Sequence, residues 1–286
     1  MAIIDINGKE QRQQIINDIG LRAAAAAQGS QKMTNVQVKS VLLNGEDIGN
    51  LRDALLPLCG DDGRLNMYMF GDLKVIDEAN KNDEPFAILL VGVDATSSSL
   101  GWNCGACGFK TCGEFNKYAK ENKGRGTAQG GPSCMWQIFD LGGAVCSAAA
   151  SVYESGLPTR VHTSFGSLGV ACGYIDSVQT FGISIGPWKY GTWDEWYNRP
   201  RMKGTFNMED IKTDMMRCYP TLFAGFNGRG RPLAKTDIDW QAKGIYFQAE
   251  YDEAYENKRK AAGAKFGQVA AEIRAKVAAK KEQKDK

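Results

Sequence analysis

Cys104, Cys107 and Cys112 stand within nine residues in the stretch CGACGFKTC, and Cys134 closes GPSC after twenty-one intervening residues. The spacing C-x2-C-x4-C-x21-C supplies three thiolates from one tight loop and a fourth from a separate segment. Such a layout closes a cage around a [4Fe–4S] cube, which is bonded at its corners by cysteine sulfur. Gly105 and Gly108 leave the backbone free to take positive φ and wrap inorganic sulfide, with their N–H groups available to sulfur. Hydrogen bonds, burial and net charge set the potential of such a centre anywhere between roughly −700 and +450 mV, so the sequence does not fix it. Lys110 and Lys117 flank the loop and would offset negative charge there, although solvated surface is the simpler reading of both.

Three other uses of four cysteines compete. Four-cysteine zinc sites are common, but zinc ribbons carry two separated C-x2-C knuckles, whereas here three ligands crowd one loop. A plant-type [2Fe–2S] centre has the order C-x4-C-x2-C, the reverse of this one. A disulfide framework suits short secreted chains with distributed cysteines, and this chain has 286 residues with its cysteines bunched.

Little other chemistry is available. His162 is the only histidine, so a two-histidine metal site within one chain is impossible, and a structural position near the core is its expected role. Cys59, Cys146, Cys172 and Cys218 are single and widely spaced, as buried cysteines acting as small hydrophobes are. Neither a G-x-x-x-x-G-K loop nor a strand-linked G-x-G-x-x-G occurs, which leaves ATP and dinucleotide binding without support. Acidic stretches such as DEANKNDE read as solvated helix ends, and no carboxylate pair stands out for acid–base work.

The elements that must position the thiols follow from periodicity and punctuation. Asn7 is placed to cap a first helix through KEQRQQIINDIGLRAAAAAQ, with Gly29 as its stop. A strand is expected near 35–43 and a helix near 46–58. The apolar run FAILLVGVD at 86–94 reads as the central strand, whose end delivers the chain to the cysteine loop. EFNKYAKENKG is helical in pattern, GRGTAQGGPSC is a glycine-rich return bringing Cys134 back, and the iron–sulfur module spans roughly 101–136. MWQIFDLGGAVCSAAASVYESG reads as a long buried helix stopped by Gly156, and SVQTFGISIG as a strand. Strands and helices mix without a repeating βαβ unit, so the fold class expected is α+β, a mixed sheet with flanking helices.

Composition places the chain among ordinary globular proteins, with 43% hydrophobic and 24% charged residues. The net charge of +2 argues for no nucleic-acid partner, but residues 258–286 alone carry +7, leaving the rest slightly acidic. No run approaches the ~20 apolar residues that span a bilayer, and the N-terminus lacks a signal-peptide pattern. A cytoplasmic and anaerobic setting is the expectation from unsecreted cysteines and an oxygen-sensitive centre. Residues 186–206 hold Trp188, Trp193 and Trp196, which read equally as an exposed docking surface and as a loop folded onto its own domain. The segment from about Glu250 reads as a long helix with a basic end, either a solvated tail or a surface for a partner.

At CGACGFKTCGEF, GPSC and DLGGAVCSAAA, the sequence resembles a family of ferredoxin-domain-containing proteins of unknown function, over about residues 10–190. That resemblance implies Cys104, Cys107, Cys112 and Cys134 as cluster ligands, with Asp140, Leu141 and Gly142 standing for the family's Asp-Leu-Gly helix. The loop alone is similar to iron–sulfur modules that relay single electrons in corrinoid proteins and membrane electron-transport complexes. Beyond about 190 the chain departs from the family, giving three expected parts: a domain over 1–190, an aromatic extension over 191–249 and a basic helix over 250–286. A fainter likeness to flavin nitroreductases lies in DLGGAVCSAAASVYESGL followed by TFGISIGPW. It would imply FMN at a homodimer interface, with Arg22, Ser30 and Gln31 in the corresponding N-terminal region. The expected function is thus a [4Fe–4S] electron-transfer protein or subunit of a larger oxidoreductase complex. A flavin- and cluster-dependent reductase of a small organic substrate is the second expectation, and a structural or sensory cluster subunit the third.

Overall fold

A computed structural model describes residues 8–60, 65–125, 129–189 and 253–284. Helix α1 (Lys9–Gly29) turns Ile16, Ile19, Gly20, Ala23 and Ala27 inward, a three-and-four spacing that makes one buried face. Asn7 lies outside the described residues, and the cap position is held by Gly8, which makes no side-chain bond. Gly29 does not act as a left-handed stop. It is the last helical residue, and Ser30 follows at φ −58° with its hydroxyl on the Ala27 carbonyl.

Strand β1 (Lys39–Asn44) begins later than expected from the sequence, because residues 33 and 34 are held by Asp140 of another element. Helix α2 (Glu46–Cys59) follows. Of helix α3 (Met67–Lys81) only the acidic end, in DEANKNDE, was expected as helix; it is capped by Asn66, whose side chain accepts the Met69 N–H. It buries Leu73, Val75, Ile76 and Ala79. Then come β2 (Ala87–Val93), α4 (Cys112–Asn122), the two-residue strands β3 (Gly124–Arg125) and β4 (Gly130–Gly131), and α5 (Met135–Glu154). Strand β5 (Val161–His162), α6 (Thr163–Ala171), β6 (Gln179–Ile185) and α7 (Glu253–Lys284) complete the order.

The main sheet runs β1-β2-β6-β5 with every pairing antiparallel, and β3 and β4 pair separately. The fold is therefore α+β, as the mixed pattern implied. Strand β2 is buried at all seven positions, since helices cover both faces of the sheet. Successive side chains point to opposite faces. Ile88 and Leu90 enter a core shared with α2, α3, α6 and α7. Ala87, Leu89, Val91 and Val93 enter a second core with α1 and α5. Helix α6 lies hard against β6: a Cβ at Gly166 would stand 2.0 Å from the Thr180 carbonyl oxygen, so only glycine permits that approach.

Helix α7 packs on its own domain through Ala270, Ile273 and Val277. Its cations also bind inward: Arg274 donates to the Ala171 carbonyl, Lys281 to the Gly173 carbonyl, and Lys280 pairs with Glu46 and Asp47. Trp188 packs beside the α1–α5 core, with its N–H on the Pro85 carbonyl. Trp193, Trp196, Cys218 and the 191–249 extension lie outside the described residues. No described helix is long and apolar enough to cross a membrane.

Candidate iron–sulfur site

Strand β2 ends at Val93, and the chain runs through Asp94–Ser98 into the cysteine loop. Two devices fix that exit. Asn116 of α4 mimics a paired backbone: its carbonyl accepts the Ser98 N–H at 2.7 Å and its amide donates to the Ser98 carbonyl at 2.8 Å. Asp94 pairs with Lys123 at 2.8 Å. Burial works to raise the Asp94 carboxyl, but hydrogen bonds from Lys123 and Thr96 outweigh it and hold the group below its usual range.

Within the loop, Gly105 and Gly108 adopt φ of +74° and +88°, and the Gly108 N–H closes a turn on the Gly105 carbonyl. A Cβ at either glycine would meet nothing within 4 Å, so positive φ rather than crowding demands glycine there. Asn103 also sits at positive φ, +49°, which asparagine tolerates better than most residues. Its side chain accepts the Cys112 N–H at 2.9 Å. Cys112 then opens α4 behind a capping box, in which Thr111 accepts the Glu114 N–H and Glu114 reaches back to the Thr111 N–H.

The return segment is moored to the sheet. The Cys134 N–H donates to the Ala95 carbonyl at 2.8 Å. Gln179, the first residue of β6, accepts the Ala95 N–H and donates to the Gly130 carbonyl and the Ser133 hydroxyl. Gln129 exchanges two hydrogen bonds with the Thr180 backbone. Cys134 stands at the N-cap of α5, and with Phe115 and Ala119 it forms a small core flanked by Cys107, Phe109 and Trp136.

Cys104, Cys107, Cys112 and Cys134 all line one open pocket, together with Ser98, Trp102 and Trp136. Its free space, counted to the open mouth, is about 350 Å³. Among the described residues no three His, Cys, Asp or Glu side chains converge closely enough to hold a single metal ion. The Trp136 indole N–H points at the Cys104 sulfur across 3.2 Å. The Ala106 N–H and that indole together draw the Cys104 thiol below its usual range, because both stabilise the thiolate. An edge-on aromatic chain continues outward from Trp136 to Trp102 and to Phe139, with ring centroids 6.0 and 6.3 Å apart. Trp102 is 50% exposed and Phe139 65%.

The remaining sequence candidates are scattered. Cys59 and Cys172 are buried in the α2–α3–α6 core, where desolvation pushes both thiols up to about 12. Cys146, expected in the interior, is exposed: it lies on the outer face of α5, away from α1 and the sheet. His162 is buried as expected, with Nδ1 2.9 Å from Asp72, whose other carboxylate oxygen accepts the Ser164 hydroxyl. Arg22 and Gln31 are exposed, and the Ser30 hydroxyl donates to the Ala27 carbonyl of its own helix. Asp140 is buried and accepts the Met33 and Thr34 N–H groups at 2.8 Å each, tying the loop before β1 to α5. Trp136, Asn103 and Gln179 escaped the sequence reading. The tryptophan stood two residues from Cys134, but nothing local gives its reach to Cys104.

Residues 130–187 match the model of a family described as "uncharacterized protein containing a ferredoxin domain (DUF2148)". The match bears out the resemblance over that segment, which includes Cys134 and α5 and stops short of Cys104, Cys107 and Cys112. An uncharacterized protein of Archaeoglobus fulgidus is 34% identical over 115 residues, 40% of this chain and 60% of its own length. The chain thus spans 60% of that relative's length. No solved structure matches.

Proposed function

We propose that the protein is an electron carrier holding one [4Fe–4S] cluster on Cys104, Cys107, Cys112 and Cys134. The observation that carries this reading is the meeting around one pocket of three thiols from one loop and a fourth from a separate segment. A ferredoxin domain in the matched family supports iron–sulfur electron transfer in the same direction. Zinc is disfavoured by the cysteine spacing, since three of the four crowd one loop where zinc ribbons use two separated C-x2-C knuckles. When bound, the cluster supplies one-electron exchange without proton or substrate chemistry at the protein. The chain's own residues give the anchoring thiolates, N–H donors toward sulfur, and an aromatic edge at the surface.

The partner belongs to the same proposal. It is a redox protein, or a larger oxidoreductase assembly, that approaches the exposed side of the pocket. Anaerobically purified protein is expected to contain about four iron and four sulfide per chain and to show broad visible absorbance. The variant Cys107→Ser is expected to lose most of both. Full iron and sulfide in that variant would sink the ligand assignment, and zinc in place of iron would sink the carrier.

A further inference from the structure

Trp136 is the only side chain among the described residues given a hydrogen bond to Cys104, and it is neither a ligand nor a core residue. It occupies the second position of α5, immediately after the helix opens behind Cys134. Helix α5 is fixed in place by its buried residues Leu141, Ala144, Ala148 and Val152 and by the Asp140 contacts to Met33 and Thr34. Trp102 and Phe139 each meet the indole edge-on, with ring centroids 6.0 and 6.3 Å away. The indole N–H stands 3.2 Å from the Cys104 sulfur. Indole is a donor only, so this arrangement has one polar use.

From this geometry we infer that Trp136 is a positioning residue that sets the reduction potential of the site through its N–H bond to Cys104. The inference rests on the cluster reading above. Reduction by an external one-electron donor such as dithionite adds one negative charge to the cluster and its thiolates, and no bond to the protein is made or broken. An N–H dipole aimed at a ligand sulfur stabilises the more negative state more strongly, and so raises the potential. Cys104 is the exposed ligand, where solvent competes for its sulfur, so a fixed donor matters most at this corner.

The test uses the full chain, loaded and titrated anaerobically. Trp136→Phe keeps a ring between Trp102 and Phe139 and removes the donor. Iron and sulfide are expected to match the wild type while the midpoint potential moves to a more negative value. Phe139→Leu, which alters the same aromatic chain without touching the donor, is expected to leave the potential in place. An unchanged potential in a fully loaded Trp136→Phe protein overturns the inference and leaves the cluster reading intact. A wild-type protein without iron and sulfide overturns both. If the variant fails to load, wild-type chain grown with a fluorinated tryptophan of more acidic N–H gives the second measurement. Its potential is expected to shift positive, and no shift overturns the inference.

Discussion

Seven cysteines among the described residues fall into three chemical kinds, and their surroundings separate them. Four line the pocket, Cys59 and Cys172 are buried among apolar side chains, and Cys146 faces solvent. In folded protein at pH 8, Cys146 is expected to react with iodoacetamide, while Cys59 and Cys172 stay unmodified until denaturant is added; mass spectrometry of digests reads the difference. The same burial predicts alkaline weakening. Both thiols have an ordinary value of 9.0 and a folded value of about 12, so the folded state keeps protons that the unfolded chain gives up. Their contribution is complete below pH 9 and declines as pH rises toward 12, by at most ~1.4 kcal/mol per pH unit per thiol. Urea melts between pH 8 and 11 check it, and a flat profile would show the thiols to be accessible. At this scale the sequence spoke clearly about the ligand loop, because its spacing is local. It misplaced Cys146, since an α5 surrounded by small residues looked buried on every side, and only the packing of α1 against one side decides which face is open.

Among the elements, α5 carries an unusual choice. Gly142 and Gly143 stand in the middle of a twenty-residue helix, and a Cβ at Gly142 would meet nothing within 4 Å. Glycine in a helix interior costs about 1 kcal/mol relative to alanine. Gly142→Ala is therefore expected to stabilise the fold by roughly 0.4–1 kcal/mol in thermal or urea melts, and a loss of stability would mean that the helix face is covered. Helix α7 makes the opposite kind of prediction. Ile273 is buried against α2 and α6, and Ile273→Ala is expected to cost about 2–4 kcal/mol, whereas a free tail would register nothing. Its pairing with α2 also has a pH sign. Hydrogen bonding and attraction from Lys280 hold the Glu46 carboxyl below its ordinary 4.5, so that contact contributes above pH 4.5 and is lost as pH falls through the lowered value. Hydrogen exchange in α7 should rise first on acidification. Helices α2, α4 and α5 were legible from their residue pattern. Only the acidic end of helix α3 was legible, since the Asn66 cap and the Phe70, Leu73, Ile76 spacing are interrupted by polar residues that dilute the apolar stripe.

Among the described residues the main antiparallel sheet is buried on both faces at its central strand, with the candidate site beyond that strand's end. Sequence showed β2 as an unbroken apolar run and hence a central strand, but not its antiparallel pairing with β6, which depends on residues ninety positions away. That pairing brings Gln179 to the return segment, where three of its hydrogen bonds meet Ala95, Gly130 and Ser133. Gln179→Leu is expected to cost roughly 1–3 kcal/mol and to lower iron content per chain, while leaving the far-ultraviolet circular dichroism unchanged. Wild-type loading in that variant would show that Cys134 needs no support from the sheet.

The Gln179 strut also imposes an order in time. A chain is made from its N-terminus, so Cys104, Cys107, Cys112 and Cys134 all emerge before the residue that steadies the last of them. Ser133 and Gln179 are separated by 46 positions, an interval of about 2–9 s at the usual ~5–20 residues per second of synthesis. During that interval the first three thiols can gather from local sequence alone, while the fourth waits for a strand not yet made. Assembly of the site is thereby deferred until the sheet beneath it has closed.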